Sequence, residues 1–119
     1  MKTEVRITRN FKKEAKPLLK KYPSLIKDLA QLQNSLIANP TLGTPLGNNA
    51  YKIRLAIKSK GKGKSGGARV ISFLENEVIG FIEKSEKLTV VNLVTIYDKS
   101  QTASISDKEL KELIANIEY

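Results

Sequence analysis

The residues of this chain best suited to chemistry are cations and one tyrosine: Lys52, Arg54, Arg69, Tyr97 and Lys99. Such a set suits cleavage of RNA. The attacking 2′-hydroxyl must lose a proton, the pentavalent phosphorane needs positive charge around it, and the departing 5′-oxygen needs a proton. Arginine and lysine stabilise the charge. The chain has no histidine, so proton transfer would fall to Tyr97, a lysine or water. Tyrosine titrates at about 10 in isolation, and neighbouring cations favour its ionised form. Plainer roles fit the same residues. Tyr97 can be a sheet tyrosine with a packed ring and its hydroxyl at the rim, and Arg69 can hold a salt bridge at a strand start.

The elements that would bring these groups together are legible as strands. Tyr51, Ile53, Leu55 and Ile57 alternate with Lys52, Arg54 and Lys58, the period of a strand with one face in a core. Gly61, Gly63, Gly66 and Gly67 then interleave with Lys60, Lys62 and Lys64, and a second strand starts at Ala68 and Arg69. From Lys52 to Arg69 there are seven basic residues and no acid. A hairpin carrying a cationic loop over a basic sheet face follows, and Lys58, Lys60, Lys62 and Lys64 join Lys52 and Arg54 as candidate RNA-binding residues. A phosphate-loop reading of Gly63-Lys64-Ser65 fails, because Lys58 stands where the first glycine belongs and a strand follows instead of a helix.

A third strand is expected over residues 88–99. Strict alternation would put Leu88, Val90, Val94 and Ile96 on one face and Val91, Leu93, Thr95, Tyr97 and Lys99 on the other. Apolar residues on both faces mark a central strand. If the strands from Tyr51, Ala68 and Leu88 are neighbours, the basic groups and Tyr97 converge.

The remaining pattern is that of a scaffold. Residues 4–8 alternate as a short strand, and Asn10 is placed to cap a helix through Phe11, Ala15, Leu18, Leu19 and Tyr22, interrupted by Pro17. Ser24 is placed to cap a second helix with the stripe Leu25, Leu29, Leu32 and Leu36, antiparallel to the first. Residues 41–50 read as a loop, residues 75–77 as a turn, and residues 78–82 as a further short strand. Ser106-Asp107-Lys108-Glu109 is a capping box that opens a last helix through Leu110, Leu113, Ile114 and Ile117.

The 119 residues suit one domain with one modest core, and 40% hydrophobic against 28% charged residues is an ordinary globular balance. A net charge of +9 favours encounter with nucleic acid. The lack of cysteine and histidine removes disulfides and the commonest metal ligands. No signal-like or membrane-length apolar run is visible, so a cytoplasmic protein without membrane contact is expected.

Tyr51-Lys-Ile-Arg54, the run from Gly61 through Gly-Gly-Ala-Arg69-Val-Ile71, and Thr95-Ile-Tyr-Asp-Lys-Ser100 resemble the RelE/ParE toxin superfamily, in its HigB-like branch of type II toxin–antitoxin modules. The segment from Phe11 to Lys16 and the Asn39-Pro40 joint with Gly43 extend the likeness over nearly the whole chain. The resemblance implies an α+β fold, with two N-terminal helices on a small antiparallel or mixed sheet and a helix at the C-terminus. It implies a metal-independent, cofactor-free mRNA endoribonuclease acting at the ribosome and neutralised by a cognate antitoxin protein. It implies that Lys52 and Arg54 correspond to the family's first-strand basic residues, Arg69 to its phosphate-binding arginine and Lys99 to a basic residue after the last strand. Ile105 stands where the family's C-terminal catalytic tyrosine falls, and Tyr97 is the candidate to take that role beside Arg69 and Lys99. A gyrase-inhibiting toxin of the ParE kind, or a non-toxic RNA-binding module, would use the same scaffold.

Overall fold

A computed structural model describes residues 2–61, 63, 66–79, 86–102 and 104–119. The elements run β1 (Lys2–Ile7), α1 (Arg9–Lys21), α2 (Leu25–Ala38), β2 (Thr44–Gly47), β3 (Ala50–Leu55), a 3₁₀ turn (Lys58–Lys60), β4 (Ala68–Ile79), β5 (Glu86–Asp98) and α3 (Asp107–Ala115). The strands form one sheet in the order β1-β5-β4-β3-β2. β1 lies parallel to β5, and the other pairs are antiparallel. This is the expected α+β architecture, with β3, β4 and β5 adjacent.

Each sheet face carries its own core. On one face Phe11, Ala15, Leu18 and Tyr22 of α1 and Leu25, Leu32 and Leu36 of α2 meet Ile53, Leu55, Val70, Val91, Leu93 and Ile96. On the other, Leu110 of α3 meets Ala50, Ile71, Val94 and Tyr97. β5 lies between two strands and two cores, and this explains its apolar residues on both faces.

The strict alternation expected for β5 does not hold. Ile71 pairs with Thr95 but the next residue, Ser72, pairs with Leu93, so Val94 is an extra residue in β5. This bulge moves Val94 to the α3 side and leaves Ile96 with Val91 and Leu93 on the helix-pair side. A bulge loosens the local ladder and leaves backbone groups to be satisfied elsewhere. Here α1 supplies the partners. Thr8 Oγ1 donates to the Leu93 carbonyl at 2.8 Å, and Asn10 Nδ2 donates to the Val94 carbonyl at 3.0 Å.

The same contacts correct the expected helix caps. Thr8, not Asn10, caps α1, with its hydroxyl accepting from the Phe11 N–H at 3.2 Å. Pro17 does not divide α1, because it lies on the exposed side, where water can satisfy the Lys13 carbonyl. Ser24 precedes α2 in a helical conformation and makes no side-chain cap. Its hydroxyl instead donates to Asp28 at 2.8 Å and accepts from the Ser59 N–H at 2.8 Å, tying the 3₁₀ turn to α2. Ser106 does cap α3, accepting from the Glu109 N–H at 3.2 Å.

Two loop expectations also change. The stretch read as an irregular loop contains β2, which turns into β3 through Asn48 and Asn49, with φ of 53° and 62°. A two-residue hairpin turn needs such left-handed values, which asparagine tolerates. Residues 75–77 are not a turn but part of the long β4, paired along β5. The strand expected over residues 78–82 falls partly within β4 and partly outside the described residues. Among the described residues, no helix is long and apolar enough to cross a membrane.

Two substitutions test this frame. Thr8→Val keeps the shape but removes the hydroxyl's bonds to Leu93, Val94 and Phe11, and should lower unfolding free energy by about 1–2 kcal/mol in a denaturant titration. Gly67→Ala should cost more, roughly 3 kcal/mol, because a methyl there runs into the carbonyl oxygen of Leu55.

Candidate functional site

Register, not proximity in sequence, assembles the site. Arg54 of β3 pairs directly with Arg69 of β4, and Arg69 pairs directly with Tyr97 of β5. Directly paired residues point to the same face, and Tyr97 fixes that face as the α3 side. Lys52, two residues before Arg54, shares it and lines a small pocket with Ile71, Tyr97, Ile105, Asp107 and Leu110. A row of two guanidiniums and a phenol therefore crosses three strands, with an ammonium beside it. Two residues of like charge thus stand directly opposite each other on this face.

Exposure divides the row. Arg54 is exposed and Lys52 half-buried, whereas Arg69 is 5% exposed and Tyr97 9%. One Arg69 nitrogen donates to the Ala68 carbonyl at 3.1 Å. Burial raises the Tyr97 pKa above its ordinary value, and the charge of Arg69 only partly offsets this. Arg69 does favour the ionised form of Tyr97, as expected of a neighbouring cation, but desolvation outweighs it. The phenol keeps its proton at neutral pH, which suits a proton donor better than a base.

The remaining cations separate. β5 ends at Asp98, so Lys99 sits on the exposed turn beyond it and not two positions along the same pleat from Tyr97. The Lys99 N–H donates to the Gly67 carbonyl at 3.1 Å, holding that turn against the approach to β4. Lys58 is exposed on the 3₁₀ turn, its backbone N–H bonded to Asp28 at 3.2 Å. Lys62 and Lys64 lie outside the described residues. Lys60 is not poised over the sheet. Its side chain is 10% exposed and its ammonium lies 2.7 Å from Asp98, whose own side chain has no exposure.

Asp98 is the polar centre that sequence reasoning missed. Its carboxylate accepts from Lys60, from the Tyr22 hydroxyl at 2.7 Å, and from the Ser100 N–H and hydroxyl at 2.9 and 2.7 Å. Lys60 also lies 5.6 Å from the centre of the Tyr22 ring. Burial alone would raise the Asp98 pKa, but these donors overcome it and hold the carboxyl well below the usual carboxylate range. The spacing Asp98-x-Ser100 is the one available sequence signal, since such pairs often close a side-chain turn. Asp98, Lys60 and Tyr22 thus anchor the cationic loop to α1 next to the site. Among the described residues, no group of three or more acidic side chains is arranged to hold a metal ion.

Asp98→Asn should destabilise the fold by roughly 3 kcal/mol, because it leaves Lys60 buried without its counter-charge. Since folding lowers the Asp98 pKa, its contribution is complete above about pH 5 and drains away as pH falls through about 4 and below. Acid titration of stability should therefore be shallower in Asp98→Asn than in the parent chain.

No family model matches the chain, and no solved structure matches it.

Proposed function

We propose that this chain is the toxin of a type II toxin–antitoxin module, a metal-independent mRNA endoribonuclease that inhibits translation in the cytoplasm. The observation that carries the reading is the Arg54–Arg69–Tyr97 row, which the register sets on one sheet face. An RNA phosphate laid on this row meets both guanidiniums, which stabilise the phosphorane. Tyr97, held protonated, supplies the proton to the departing 5′-oxygen. Water takes the proton of the attacking 2′-hydroxyl, leaving a 2′,3′-cyclic phosphate. Lys52 and Lys58 hold the flanking backbone, with the ribosome presenting the mRNA and an antitoxin protein restraining the toxin.

A second reading draws support from burial. Arg54, Lys58 and Lys99 are the exposed cations, while Arg69 and Tyr97 are covered. An exposed cationic rim serves an RNA-binding module, or a gyrase inhibitor on the same scaffold, without cleavage. Single substitutions of lysine in a plain binder would have small, similar, salt-dependent effects.

Induced expression in a bacterial host, with mapping of mRNA 5′ ends, separates these readings. The nuclease reading expects growth arrest with translation-dependent cuts inside coding regions. Arg69→Ala and Tyr97→Phe should each reduce cutting by about 100-fold or more while leaving the fold intact. Arrest with intact mRNA would overturn the nuclease and direct attention to supercoiling, and full cutting by both variants would overturn the site.

A further inference from the structure

The row assigned to RNA is not open to it. Tyr97 is buried against Ile105 and Leu110, together with Ile71 and Val94. The covering element is α3, and its apolar seat is small, although the residues that follow it are tied down: the Arg9 N–H donates to the Glu118 carbonyl and the Tyr119 hydroxyl donates to Asn92. Leu110 is its one fully buried residue, and Leu113 and Ile114 are only half-buried. A cavity of about 710 Å³ opens between α3, the start of α1 and the end of β5, with Tyr97 in its floor, so α3 is not close-packed on the sheet. The core under α3 shares no residue with the larger core under α1 and α2. An element with so little apolar burial over a separate minor core can detach without unfolding the domain. Charge agrees with this reading. Asp107, at the start of α3, lines the same small pocket as Lys52 and Tyr97 and so brings an acidic residue of the cover next to the cationic row.

We propose that α3, with Ile105 just ahead of it, is a hinged cover over Tyr97, and that an RNA strand reaches the Arg54–Arg69–Tyr97 row only when this cover lifts. The inference rests on reading that row as an RNA site. It adds a closed and an open state to the site: the closed state hides Tyr97 and offers only the exposed Arg54 at the end of the row. RNA shifts the balance because it binds the full row only in the open state.

The test uses the full chain and a readout that needs no RNA. Nitration by tetranitromethane, located by peptide mapping, reports the accessibility of Tyr97 and of Tyr22, which is buried in the larger core. Leu110→Ala weakens the seat of α3, and Leu113→Ala is a milder variant should the first prove too disruptive. The expected result is a rise of about tenfold or more in Tyr97 nitration in Leu110→Ala, a smaller rise in Leu113→Ala, and no change at Tyr22. Faster amide exchange in α3 alone should accompany it. Unchanged Tyr97 nitration, or equal rises at Tyr97 and Tyr22, would overturn the cover. Anisotropy with a labelled single-stranded RNA 12-mer completes the test: Leu110→Ala should bind tighter by about tenfold, and Arg69→Ala in that background should remove the gain. Failure of the gain to appear despite exposed Tyr97 would overturn RNA as what the cover excludes. If the gain appears but RNA is not cut, the cover stands and the nuclease reading falls.

Discussion

The contact between the first turn of α1 and the bulge in β5 governs the rest of this fold. A single extra residue, Val94, divides β5 into two stretches of opposite facing. Thr8 and Asn10 accommodate it by bonding the carbonyls of Leu93 and Val94. Because Thr8 also caps α1, one hydroxyl fixes the start of the helix and the twist of the central strand together. Beyond the bulge, Tyr97 emerges on the α3 side opposite Arg69 while Ile96 stays with the larger core. The site therefore depends on a hydrogen-bonded corner formed by residues some eighty positions apart in the chain.

Much of this frame was legible in the sequence. The alternation from Tyr51 to Lys58 is β3 and its continuation, the capping box at Ser106 opens α3, and the apolar run after Leu88 is the central strand. These features are local, with a period or a spacing that backbone geometry dictates. What escaped is non-local. Nothing at Val94 marks a bulge, since no glycine or proline stands there and its neighbours continue an apolar pattern. The cap at Thr8 escaped because Asn10 is an equally good capping type, and the choice is made by the carbonyls of a distant strand. Asn48 and Asn49 carried a hairpin signal that was hidden among glycines and prolines.

The candidate site was legible in part for the same reason. Residue type and strand period identified Arg54, Arg69 and Tyr97, and the register brings them into one row. Composition also suggested that every lysine of the glycine-rich loop was available for a ligand. Lys60 shows why charge counts mislead: a cation serves binding only if no nearer anion holds it, and Asp98 does. Likewise, the influence of Arg69 on Tyr97 was foreseeable from sequence, but the greater opposing influence of desolvation required knowing what packs over the ring.

The pairing of β1 with β5 has a consequence for biosynthesis. β5, an interior strand, is the last of the five to be made, and it docks beside the first. Until β5 has emerged, β1 and β4 have no neighbour between them, α1 has no floor, and Tyr97 does not yet exist beside Arg69. Long-range closure of this kind makes folding late and all-or-none. A nascent chain paused anywhere before the nineties thus lacks the pairing of Arg69 with Tyr97, and the row forms only once β5 has docked between β1 and β4.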